Sequence, residues 1–118
     1  MEATDKKRVY DLEDRTFKFS EEVRTLLNKL KVNTFNADDI KQLIRSSGSV
    51  GANYIEANES LGKRDFAMRI KICRKEAKES VYWLRLINFD TLIGERDKLI
   101  QECRELMKIF GAILEKTK

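Results

Sequence analysis

The sequence predicts an all-α protein, an antiparallel up-down-up-down bundle of four helices. Three observations carry that prediction. Apolar residues recur at helical spacing through four segments of about 20 residues each. The 118 residues include no proline, the strongest helix breaker. No useful length alternates apolar with polar residues, as a half-buried strand would. Helices of this length joined by short turns pack most simply by folding back on their neighbours. The length suits one domain, 1–118, around one core.

The first helix is expected from about Leu12 to Lys31, with Leu12, Thr16, Phe19, Val23, Leu26, Leu27 and Leu30 on one face. Asp11, Glu13 and Asp14 suit the positive end of its dipole, and Met1 to Arg8 reads as a short frayed lead-in. Val32-Asn33-Thr34-Phe35 interrupts the pattern, and Asn36 is an N-cap candidate ahead of Asp38 and Asp39. The second helix, about Ala37 to Glu59, contains Ser46-Ser47-Gly48-Ser49-Val50-Gly51-Ala52-Asn53, a run unfavourable to helix by propensity. Read by propensity alone it is a flexible Gly/Ser linker. Yet Ile40, Leu43, Ile44, Ser47, Val50, Gly51, Tyr54, Ile55 and Asn58 keep one face through it, so the small residues read as a site of close helix approach. After a turn at Leu61-Gly62, the third helix runs from about Lys63 to Asn88, with Phe66, Ile70, Cys73, Ala77, Ser80, Leu84 and Ile87 as its buried seam. The connection Asn88 to Gly94 leads to a fourth helix, about Glu95 to Lys116, whose inner face holds Leu99, Cys103, Leu106, Ile109, Phe110 and Ile113.

Charge is concentrated in the third helix. Between Lys63 and Arg85 eight basic residues stand against three acidic ones, a net of +5, whereas the whole chain carries +4. At 100° per residue, Lys63, Lys71, Arg74, Lys78 and Arg85 fall within about 80° of arc, and Arg64 and Lys75 widen it to roughly 120°. Arg69 lies off it. The result is a cationic rail about 33 Å long beside an apolar seam. Such a rail can be a solvated face, an intersubunit partner for acids such as Glu21, Glu22, Asp38 and Asp39, a docking face for an acidic protein, or a contact for nucleic acid. Seven cations on one arc, uninterrupted by acids, favour nucleic acid.

Little here supports catalysis. The chain has no histidine, the commonest general base and metal ligand. Cys73 and Cys103 fall on separate helices and read as free buried thiols rather than a zinc site. Gly48 and Gly51 sit inside a helix, not in a phosphate loop after a strand. Glu76 and Glu79 are i,i+3 neighbours of the kind that pair with Lys or Arg. No catalytic residue, metal or cofactor is expected. No apolar run reaches the ~20 residues of a membrane span and nothing resembles a signal peptide, so the expected location is the cytoplasm, without membrane contact. Asn53 and Glu56 lie off the apolar face of the second helix; they read as hydrogen-bond or ion-pair partners of a basic neighbour, on the third helix or another subunit, with ligand binding as the alternative. Tyr82 and Trp83 flank the third-helix seam and suit a subunit interface, or else base stacking.

Three stretches together form a distinctive order: Arg45-Ser-Ser-Gly-Ser-Val-Gly-Ala-Asn-Tyr-Ile-Glu-Ala-Asn58, then Lys63-Arg-Asp-Phe66, then Arg74-Lys-Glu-Ala-Lys-Glu-Ser-Val-Tyr-Trp-Leu-Arg-Leu86. They resemble the bacterial four-helix-bundle proteins encoded in intervening sequences of 23S ribosomal RNA genes. The likeness is at motif level in helices two and three, and at the level of helix length and order elsewhere. Ser60-Leu61-Gly62 departs from it, in a turn that is often more polar. The resemblance implies assembly into a ring-shaped homopentamer. It also implies kinship with the accessory variability proteins of diversity-generating retroelements, whose basic pentamers bind nucleic acid and a reverse transcriptase. It implies no catalytic residues. The expectation is thus a non-enzymatic homo-oligomer that binds RNA or DNA through Lys63, Arg64, Lys71, Arg74, Lys75, Lys78 and Arg85. The competing expectation is a scaffold that docks an acidic or nucleic-acid-handling protein without touching nucleic acid.

Overall fold

The computed structural model describes the backbone from Glu2 to Lys118 and side chains from Asp11 onward. Its four α-helices are α1 (Glu2–Leu27), α2 (Ala37–Asn58), α3 (Lys63–Leu86) and α4 (Ile93–Lys116), with one 3₁₀ turn at Asp90–Leu92 and no strand among the described residues. α2 packs between α1 and α3, and α4 packs on α3 and α1. Phe19, Val23, Leu43, Val50, Ile70, Leu84, Leu106 and Phe110 are fully enclosed where the four apolar faces meet.

α1 differs from expectation at both ends. It begins at Glu2, so the segment read as a frayed lead-in is helical, apart from Met1, which lies outside the described residues. Glu2, Ala3, Lys6, Lys7 and Arg8 are good helix formers with no breaker among them. Asp11, Glu13 and Asp14 are therefore interior residues, not first-turn partners of the dipole. The helix also stops at Leu27 instead of Lys31. Lys29 and Leu30 close tighter turns onto Leu26 and Leu27, and Asn33 then takes over: its Oδ1 accepts from the amides of Phe35 and Asn36 at 2.8 and 3.0 Å. A side chain that satisfies loop amides locally competes with helix continuation. Asn36 stands at the N-cap of α2 but makes no capping bond with its side chain. Instead its Oδ1 accepts from the Asn33 amide and its Nδ2 donates to the Lys31 carbonyl.

The Ser/Gly run of α2 is helical throughout. A Cβ on Gly51 would stand 2.9 Å from Thr16 Oγ1 and 3.2 Å from Thr16 Cβ, so α1 and α2 touch there at backbone distance. Ile55, expected on the inner face, is half exposed, while Ser46 and Ala57 are buried. The face turns slightly toward α3, where Ser46 and Ser80 meet at 2.9 Å. Ser80 donates to the Glu76 carbonyl, which leaves its oxygen free to accept from Ser46. At the other end of α3, Ile87 leaves the helix in an extended conformation. Both Ile87 and Phe89 are buried, which ends α3 before Asn88.

Arg45 of α2 clasps α3 by bridging Glu76 and Glu79. Glu76 is 7% exposed, so Arg45 is the partner that makes its burial tolerable. Arg45→Ala is expected to destabilise the fold by about 1–2 kcal/mol, less than a fully buried pair because Arg45 itself remains partly in water. The midpoint of urea unfolding measures this; an unchanged midpoint would show that solvent already serves Glu76.

Candidate nucleic-acid interface

All seven cations of the rail, Lys63, Arg64, Lys71, Arg74, Lys75, Lys78 and Arg85, are exposed on α3. Among the described residues none of them forms an ion pair. Glu76 and Glu79 are instead taken by Arg45 of α2, although the Lys75 charge lies near enough to Glu79 to help lower its carboxyl. Arg69, the one basic residue off the arc, donates to Asn53 Oδ1 at 3.2 Å.

The seven do not share one environment. Arg74 and Arg85 stand on the α4 flank and line two adjoining depressions of about 370 and about 430 Å³. The Arg74 guanidinium lies 3.8 Å from where a Cβ on Gly111 would be, so it reaches across onto α4. The opposite wall is also basic: Arg96 and Arg104 complete the larger depression, and Arg104 and Lys108 the smaller, with Gln101 shared by both. These α4 cations are absent from the sequence-based expectation. The other five members of the rail do not line either depression.

Asn53, Glu56, Tyr82 and Trp83 lie away from the trough. Asn53 donates to the Ser49 carbonyl and accepts from Arg69. Glu56 is exposed on α2. Trp83 is half-buried against the core and donates from Nε1 to Glu79 at 2.9 Å. Tyr82 is 55% exposed and meets the Trp83 ring edge-on, with centroids 4.9 Å apart. Burial works to raise the Glu79 carboxyl, but the bonds from Trp83 and Arg45 prevail and hold it below the ordinary carboxylate range. Burial pushes the Cys73 thiol up to about 12 and Cys103 further still, so both are inert as nucleophiles in the folded chain. No group of three potential metal ligands occurs among the described residues, and none of their helices is long and apolar enough to cross a membrane.

The sequence model of the 23S rRNA-intervening sequence protein family matches residues 9–112. The chain belongs to this family. A solved structure from Bacteroides thetaiotaomicron, a protein with unknown function from the S23 ribosomal protein family, is similar to it: 26% identity, a TM-score of 0.75, and coverage of 91% of this chain and 97% of that one. Among curated proteins none matches. The stretches that resemble the intervening-sequence proteins have a structural role in this chain. Arg45 and Ser46 from the first meet Glu76, Glu79 and Ser80 from the third, and Trp83 braces Glu79. Residues of the first and third stretches thus form the α2–α3 clasp of this chain.

Proposed function

We propose that this protein is a non-enzymatic, cytoplasmic, homo-oligomeric helical bundle that binds the phosphate backbone of RNA or DNA. Lys63, Arg64, Lys71, Arg74, Lys75, Lys78 and Arg85 are its contacts. The observation that carries this reading is their joint exposure on one helix with no ion-pair partner among the described residues. Unpaired surface cations in a row hold a counterion atmosphere whose exchange for phosphates is favourable and tolerant of sequence.

Several features support the rest. Contacts between neighbouring helices pair rising with falling numbers, in favour of the up-down-up-down antiparallel arrangement: Glu13 with Asn58 and Arg24 with Ile44, Arg45 with Glu79 and Asn53 with Arg69, Arg15 with Glu102 and Lys29 with Glu95. Met68, Tyr82 and Leu86 are each more than half exposed on α3, apolar surface interrupted by Lys75 that contact with a second copy would cover. The family resemblance supports a pentameric ring, in which repeated weak phosphate contacts would add through multivalency. The absence of histidine and the burial of both thiols support a role in binding.

Affinity of the purified protein for a structured RNA and for duplex DNA is expected to fall at least tenfold between about 50 and 200 mM salt. Affinity insensitive to salt would contradict backbone binding. Association that needs an acidic protein partner, with none to naked nucleic acid at the lower salt, would favour the scaffold reading.

A further inference from the structure

The charges of α4 are largely sorted by side, with Lys98, which lies beside Glu22 and Glu95 on the α1 flank, as a basic exception. Glu95 and Glu102 point at the turn after α1 and at α1 itself, where Lys29 and Arg15 take them at 2.7 and 2.8 Å, and Glu105 also approaches Arg15. The basic residues Arg96, Arg104 and Lys108 line the trough shared with Arg74 and Arg85 of α3. Asp97, paired with Arg96 at 2.9 Å, is the single acid in the lining. Five cations therefore face one acid across a single groove. Four of the five are arginines, whereas the rail outside the groove is lysine except for Arg64.

We propose that the α3–α4 trough is the strand-binding part of the interface: it cradles one phosphodiester strand lengthwise between Arg74 and Arg85 on one wall and Arg96, Arg104 and Lys108 on the other. This rests on the nucleic-acid reading above and deepens it. Packed helices lie about 8–10 Å apart, so a groove between them cannot admit a duplex, whose major groove alone is ~12 Å wide. It has room for a single backbone, with cations reaching it from both sides. Guanidinium groups give paired, directional hydrogen bonds to phosphate oxygens and stack on bases, where an ammonium acts as a point charge. The arginines thus hold the strand, while Lys71, Lys75 and Lys78 outside the groove supply general attraction. Gln101, common to both depressions, has an amide that can meet sugar or base edges, and Met107 offers an apolar surface beneath a base.

The test compares two triple variants of the full chain that share no residue, Arg96→Gln/Arg104→Gln/Lys108→Gln in the trough and Lys71→Gln/Lys75→Gln/Lys78→Gln on the rail. Helicity and oligomer mass are checked first. The probes are single-stranded RNA and DNA of about 15 nucleotides, near the upper end of common single-strand site sizes, and a duplex of the same length, all at one salt concentration. The trough variant is expected to lose at least tenfold in single-strand affinity and the rail variant less, with the wild type preferring either single strand to the duplex. Whichever of the two single strands binds tighter identifies the sugar that the groove accepts. A trough variant that binds like wild type, or a duplex that binds as tightly as the single strands, overturns the inference while leaving backbone binding intact. Failure of the wild type to bind any probe would remove both.

Discussion

Reversing Lys71, Arg74 and Lys78 to glutamate is expected to lower nucleic-acid affinity on the order of 10³-fold at about 50 mM salt. The magnitude follows from counterion release: each lost phosphate contact removes roughly 0.7–0.9 from the slope of log affinity against log salt. Three contacts therefore correspond to about three decades at low salt. The slope itself should become shallower by about 2–3, which distinguishes lost contacts from a misfolded protein. All three side chains are exposed and unpaired among the described residues, so helicity should hold and stability should move by no more than a surface substitution usually moves it. A variant that keeps its affinity would mean that the rail is a solvated face. One that loses its oligomer would assign the rail to a subunit contact.

Gly51→Leu is expected to destabilise the fold by about 1–3 kcal/mol through overpacking, lowering Tm by roughly 4 °C per kcal/mol for a chain of this size. The neighbour has little freedom to yield. Thr16 is buried, and its Oγ1 is tied to the carbonyls of Leu12 and Glu13 at 2.9 and 3.0 Å. Gly51→Ala sharpens the argument because two effects have opposite signs. Alanine gains ~1 kcal/mol over glycine in helix propensity, yet its Cβ would enter the space held by Thr16 at 2.9 Å. Close approach predicts a net loss for both variants. A rise in Tm for Gly51→Ala would reduce Gly51 to a weak point of the helix.

Much of the fold was legible because it rests on periodicity. The seam of α3 and the survival of α2 through its Ser/Gly run both follow from which residues share a face. The ends of α1 were less legible for a different reason. Its start depends on propensity in a stretch without an apolar stripe, and its stop depends on how the Asn33 side chain binds amides two and three residues ahead. Neither leaves a periodic trace. For the interface, the α3 cations were evident because acids are scarce along that helix. The α4 cations were hidden by a cancellation, since α4 carries five basic and five acidic residues and so has no net charge. Only with α1 in place, drawing Glu95 and Glu102 to one side, does its other side become a basic wall. A helical wheel of α4 alone shows Arg104 and Lys108 one turn apart and opposite Glu95 and Glu102, but Asp97 and Glu115 fall on the same arc and mask them.

The most direct test of the nucleic-acid reading puts wild type and the Lys71→Glu/Arg74→Glu/Lys78→Glu variant side by side, measuring oligomer mass and RNA affinity on the same samples at about 50 mM salt. Unchanged mass with binding lost in the variant is the predicted result, and it would make α3 a phosphate-binding surface. Equal binding by both proteins, or a wild type that does not bind at all, would contradict it.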